Sequence, residues 1–104
     1  MPNRSEKDYE VRAEVMKALA HPSRLMMVDE LEKGERCVCE LTDLVGADIS
    51  TVSKHLSLLK DAGIVTSEKR GVKVFYSLRC TCIPRFFECI ESVLSERPQS
   101  CCTS

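Results

Sequence analysis

The chain of 104 residues contains no uninterrupted apolar run longer than the four residues Leu25–Val28. A bilayer-spanning helix needs about 20 such residues and a signal-peptide core about 7 to 15, so neither membrane association nor export is expected and a cytoplasmic location is. The chain also lacks a C-x2-C pair, an H-E-x-x-H helix, a Walker loop and a G-x-G-x-x-G turn, the usual sequence marks of zinc ribbons, zinc hydrolases and nucleotide-binding folds. No Ser, His and Asp arrangement stands out, and the missing C-x-x-C argues against a thioredoxin-type oxidoreductase. An enzyme is therefore not expected, nor an organic cofactor. Repeats, low-complexity tracts and linkers are absent too, and the length suits one core with nothing left for a second.

What is present is a soluble globular composition, 43% hydrophobic and 30% charged, with seven cysteines. In a reducing compartment such thiols are metal ligands or redox groups more often than structural disulfides, and an odd number cannot close as a fully paired framework. A domain this size buries only about two thirds of the surface of its unfolded chain, so a partner subunit would help it. The net charge of -1 hides a block: residues 1–49 carry 7 basic and 11 acidic side chains, whereas residues 50–79 carry 6 basic and 2 acidic. The positive charge is concentrated where nucleic-acid phosphates would be met.

Apolar spacing predicts a first helix over 8–19, carrying Val11, Val15 and Leu19 four apart. His21-Pro22-Ser23 separates it from a second, with Leu25, Val28 and Leu31 on one face and a stop at Gly34. Leu41, Leu44 and Val45 mark a short third helix ending at Gly46. Ser50 is then read as the cap of a fourth, in which Val52, Leu56 and Leu59 face inward while Thr51, Lys54 and His55 face outward. Two short helices around a glycine turn outline a helix-turn-helix. After Gly63 the period drops to two, giving strands over 64–68 and 72–78 joined by Lys69-Arg70-Gly71, with two cations at the tip. A last helix behind Pro84 bears Ile83, Phe86, Phe87, Ile90, Val93 and Leu94. The expected fold is mainly α with a β-hairpin (α+β), a winged helix-turn-helix in the order α-α-α-α-β-β-α. Residues 1–96 form the domain and 97–104 a cysteine-containing tail.

That order suits double-stranded DNA. Ser50, Thr51, Ser53, Lys54 and His55 would approach bases and backbone, and Lys69, Arg70 and Lys73 would meet phosphates. Cys37-Val38-Cys39 precedes the third helix. On a regular helix residues i and i+2 point about 200° apart, so both sulfurs can grip one ion only if the helix start is irregular, which would make the pair a switch; the other reading is two small core side chains. Cys80-x-Cys82 is open in the same way between a second chelating pair and buried small residues. Cys89 reads as core or dimer packing, and Cys101-Cys102 as ligand or redox thiols.

The runs Ala18–Leu25, Glu35–Leu41 and Ile49–Val65 resemble the ArsR/SmtB family of metal-sensing repressors, over roughly residues 8 to 95. The resemblance implies a homodimer joined through its first and last helices, and release of an operator duplex when a thiophilic ion binds. It also implies that Cys37 and Cys39 are ligands, as the C-V-C motif is in arsenical and in cadmium or lead sensors. The arsenical type adds a third cysteine where Thr42 stands, and the cadmium type adds N-terminal cysteines where residues 1–36 have none. The expected inducer is As(III) or Sb(III), with Cys101 or Cys102 as third thiolate. The alternatives are a Cd, Pb or Zn sensor and a disulfide or persulfide switch on the same fold.

Overall fold

A computed structural model of the chain describes residues 5–96; Cys101, Cys102 and the rest of the expected tail lie outside the described residues. Helix α1 (Glu6–Leu19) starts two residues before its expected first turn. The reason is a reciprocal cap: Ser5 Oγ accepts the Asp8 N–H at 3.3 Å while Asp8 Oδ2 accepts the Ser5 N–H at 3.1 Å. Helix α2 (Pro22–Glu32) takes its proline in the first turn, where a missing N–H costs nothing, and His21 Nδ1 caps it by accepting the Ser23 N–H at 3.0 Å.

Helices α3 (Val38–Val45) and α4 (Ile49–Asp61) are joined by three residues that open on Gly46 at φ +77°. The cap of α4 is Asp48 and not Ser50. Its Oδ1 accepts the Thr51 N–H at 2.8 Å and the Ser50 hydroxyl at 2.9 Å, and these bonds hold the carboxyl below its usual range. A charged acceptor at a helix start outcompetes a neutral hydroxyl.

Strands β2 (Val65–Arg70) and β3 (Lys73–Leu78) form the expected hairpin, and the sheet gains a strand that the sequence did not announce. This is β1 (Arg36–Cys37), which pairs antiparallel with β3 through Arg36↔Tyr76 and Cys37↔Phe75, giving the order β1-β3-β2. The hairpin register is also shifted from expectation. Arg70 pairs with Lys73, so only Gly71 (φ +64°) and Val72 form the turn. Lys69 and Arg70 therefore belong to β2, and the tip carries Val72, 96% exposed. A glycine first in a two-residue turn matches the twist of the strands it joins.

Helix α5 (Ile83–Ser95) closes the described chain. The core lies between α2, α3, α4 and the base of the hairpin, with Met27, Val28, Leu41, Val52, Leu56 and Leu59 fully buried. The inward face expected of α4 is thus the one observed. The stripe of α5 divides: Ile83, Phe86 and Phe87 pack on the core, whereas Ile90, Val93 and Leu94 remain exposed. On α1, Val15 and Leu19 pack inward and Val11 does not.

Candidate nucleic-acid interface and thiol centre

The free face of α4 presents Ser50, Thr51, Ser53 and Lys54, all exposed beside the three-residue turn. Lys69 on β2 and Lys73 on β3 are exposed as well. These six are open to solvent, whereas His55 and Arg70 are each engaged within the protein.

His55 is half-buried and its ring lies against that of His21, centroids 4.4 Å apart and planes tilted by 43°. Its Nδ1 lies 2.9 Å from an Arg24 guanidinium nitrogen. Arginine only donates, so Nδ1 accepts and the ring proton sits on Nε2. The same Arg24 donates from Nε to the Ala18 carbonyl at 2.6 Å, satisfying an orphan group at the end of α1. One side chain thereby fastens α1 to α4. Burial first, and then the neighbouring His21 ring and Arg24 guanidinium, which disfavour a further positive charge, lower the His55 pKa. The unfolded chain then binds the His55 proton more readily than the folded one, so this contribution to stability is complete above the ordinary imidazole value of about 6.5 and is lost as pH falls towards the depressed value. The melting temperature is expected to drop on acidification through that window, and His55→Gln should flatten this part of the profile. A profile unchanged by the substitution would remove His55 from the account.

Arg70 is held in a fork. Two of its guanidinium nitrogens donate to the two Glu35 oxygens at 2.7 Å each, its Nε and one nitrogen reach Glu68, and its carbon lies 4.7 Å from the centre of the Phe75 ring. Both carboxylates push its pKa up. The cation expected to be free at the wing is largely neutralised by a residue 35 positions earlier.

The Cys37 and Cys39 sulfurs meet, with Cα atoms 5.4 Å apart, and pair as a disulfide. The irregular helix start that convergence requires is supplied by Cys37 itself. It caps α3 with extended dihedrals (φ -82°, ψ 161°) because its backbone still belongs to β1, and Glu40 Oε1 accepts its N–H at 2.9 Å. Cys37 is buried, 4% exposed. The pair lines a groove of about 300 Å³ together with Ile49 and Ser53 of α4 and Val72, Lys73 and Val74 of the wing. Reduced to thiols, these two soft sulfurs would offer a thiophilic ion two donors from one side of the groove, short of the third that trigonal thiolate coordination needs. Among the described residues, no group of three or more His, Cys, Asp or Glu side chains is placed to hold an ion. At Thr42 the hydroxyl bonds back to the Val38 carbonyl at 2.8 Å. Cys89, expected in core or dimer packing, is exposed on α5 and so is not a core residue of the single chain; Cys82 is exposed as well, against the buried reading, while Cys80 is half-buried.

Sequence reasoning missed Arg24, Glu35 and Asp48. An Asp three residues before Thr51 was a legible cap signal, but nothing local announces the partners of Arg24 or Glu35. No helix among the described residues is long and apolar enough to cross a membrane.

Comparison with known proteins agrees with this architecture. The family model for bacterial regulatory proteins of the arsR family matches residues 21–67. An uncharacterized HTH-type transcriptional regulator of Methanocaldococcus jannaschii is 45% identical over 69 residues, covering 65% of this chain and 78% of that one. The HTH-type transcriptional repressor SmtB of Mycobacterium tuberculosis is 45% identical over 65 residues, covering 62% of this chain and 48% of its own, so the match spans about half of that repressor. Among solved structures, the homodimeric winged helix-turn-helix DNA-binding domain of a possible ArsR-family regulator from Mycobacterium bovis superposes with a TM-score of 0.75. It is 30% identical, with 92% of each chain covered. The chain belongs to the arsR family of bacterial regulatory proteins, and its fold is that of a winged helix-turn-helix transcriptional regulator, not of an enzyme.

Proposed function

We propose that the protein is a homodimeric repressor that holds an operator duplex when reduced and ion-free, and releases it when As(III) or Sb(III) is taken by Cys37 and Cys39 with Cys101 or Cys102 as third thiolate. The observation that carries this reading is the shared groove: the sulfurs line it with the start of α4 and the wing tip. Cys37 is at once a strand residue paired to the wing and the cap of the helix that braces α4. An ion drawing the thiolates into its own coordination geometry displaces both supports of the DNA face. Release needs only that the ion bind the DNA-incompetent conformation more tightly; a coupling of about 1 to 3 kcal/mol lowers operator affinity roughly 5- to 150-fold.

Dimerisation through α1 and α5 is supported by what these helices leave open: Tyr9, Val11 and Met16 on one, Ile90, Val93 and Leu94 on the other. The radius of gyration, 15.9 Å, exceeds the roughly 13 Å of a compact chain of this length. Ser50, Thr51, Ser53 and Lys54 would contact the duplex from α4, with Lys69 and Lys73 on phosphates, while His55 orients α4 through Arg24.

The test is a fluorescence-anisotropy titration of upstream DNA with reduced protein, repeated with arsenite, antimonite, cadmium, lead and zinc singly. Release by arsenite or antimonite is expected, and replacement of Cys101 and Cys102 by serine should weaken the arsenite response. Release by cadmium, lead or zinc alone would overturn the choice of ion. A second reading rests on the Cys37–Cys39 disulfide contact: release by a mild oxidant with no response to any ion would make the pair a redox switch. Independently, replacing both Glu35 and Glu68 by glutamine should free Arg70 for a phosphate and steepen the salt dependence of operator binding by about 0.9 in log–log slope. An unchanged slope would show that Arg70 already leaves both carboxylates on the duplex.

A further inference from the structure

Helix α4 turns Ser50, Thr51, Ser53 and Lys54 to solvent, while Val52, Leu56 and Leu59 are fully buried on its inner side. Ile49 fits neither set. It is the first residue of the helix and 59% exposed, and it belongs neither to the buried core nor to the apolar side chains packed against that core. The helix gains nothing from it either, since a β-branched side chain is a weaker helix former than alanine or leucine. Single exposed apolar residues are ordinary on protein surfaces, so its surroundings decide what it is for. Asp48 accepts the Thr51 N–H and the Ser50 hydroxyl, which pins the turn that carries the isoleucine. The neighbourhood is cationic: Lys73 lines the same groove as Ile49 and Ser53, and Lys54 follows Ser53 on the helix. An apolar side chain among cations suits a polyanion that also offers an apolar group. Duplex DNA does. The thymine C5-methyl is the apolar group on its major-groove base edges, and the N-terminal residues of a recognition helix are the ones that reach those edges.

We propose that Ile49 is a base-reading residue, packing on the C5-methyl group of one thymine in the major groove, once in each operator half-site. This rests on the repressor reading above and names a feature of the duplex that α4 selects. Burial of one methyl corresponds to about fourfold in affinity, so two half-sites give roughly 15-fold. Ile49 also lines the groove of Cys37 and Cys39. An ion that rearranges the two sulfurs therefore disturbs the base contact directly, besides the supports of the helix. Thr51 carries a second exposed methyl on α4, and the test separates the two.

The reduced full-length protein is titrated by fluorescence anisotropy with its upstream duplex, and with duplexes in which deoxyuridine replaces thymine at one symmetric pair of positions at a time. The replacement removes the methyl and keeps the base pair. The expected result is a loss of about 15-fold at one pair of positions and little elsewhere. In Ile49→Ala that loss disappears while the salt dependence keeps its slope, because no phosphate contact has gone. Ile49→Val, which keeps the branched carbon, retains part of it, and Thr51→Ser retains all of it. The absence of any position-specific loss would overturn the proposal and leave the exposed isoleucine to a protein partner. A loss that persists in Ile49→Ala, or that vanishes in Thr51→Ser instead, would overturn it as well. Failure to bind any of these duplexes would sink the repressor reading and this inference together, whereas full binding to every deoxyuridine duplex sinks the inference alone.

Discussion

Serine in place of Cys37 is expected to abolish the arsenite response, a loss of roughly 5- to 150-fold in operator affinity change, while operator binding by the ion-free protein stays within about twofold of wild type. The separation of the two effects follows from what Cys37 does besides carrying sulfur. Its backbone pairs with Phe75 and donates to Glu40, and neither bond involves the side chain. As a helix cap, serine is preferred to cysteine, its hydroxyl being the better acceptor for the N–H groups of the first turn. The fold is therefore kept and only the soft donor is removed. Anisotropy titrations with and without arsenite read both quantities on one sample. Loss of ion-free binding in Cys37→Ser would mean that the thiol supports the DNA face itself, and a retained response would take Cys37 out of the ligand set.

The second large effect concerns α4, the helix proposed to carry the DNA face. Leu56 is fully buried on α4, whereas Leu58, two residues along, is 48% exposed. Leu56→Ala should cost about 2 to 5 kcal/mol, the removed methyl groups plus the cavity they leave. For a domain near 100 residues that is a fall in melting temperature of roughly 10 to 30 °C. Leu58→Ala makes the same chemical change where about half of the side chain already meets water, so it should cost much less. Thermal unfolding followed by circular dichroism compares the two directly. Equal losses would mean that α4 is rotated about its axis from the orientation described, and the assignment of Thr51 and Lys54 to its outer face would go with it.

Local rules reached most of this fold. The three-and-four spacing of Val52, Leu56 and Leu59 and the stop at Gly46 are patterns within a few residues, and the structure has them; the alternation around Tyr76 marked a real strand, although burial does not alternate along it. What escaped depends on residues far apart. Strand β1 is two residues long and exists only because β3 offers it an edge. Arg24 meets His55 across 31 positions and Glu35 meets Arg70 across 35, so neither pairing has a sequence signature. The hairpin slipped by two residues because the turn was placed at the cations, whereas the backbone required only that Gly71 come first in a two-residue turn. The thiol pair was legible as a motif, but its convergence was not: that needed Cys37 to be strand and helix cap together.

The sheet order β1-β3-β2 bears on how copies of the protein can meet. One margin of the sheet is a strand of two residues, and the other ends in Glu68, Lys69 and Arg70. A margin that short offers too few unpaired amides to template a neighbour, and one that charged resists being covered. Both borders are thus blunted against continuous β-pairing between molecules and the aggregation it seeds. The proposed dimer would instead use the apolar side chains that α1 and α5 expose, where contact is between helices and stops at a closed assembly.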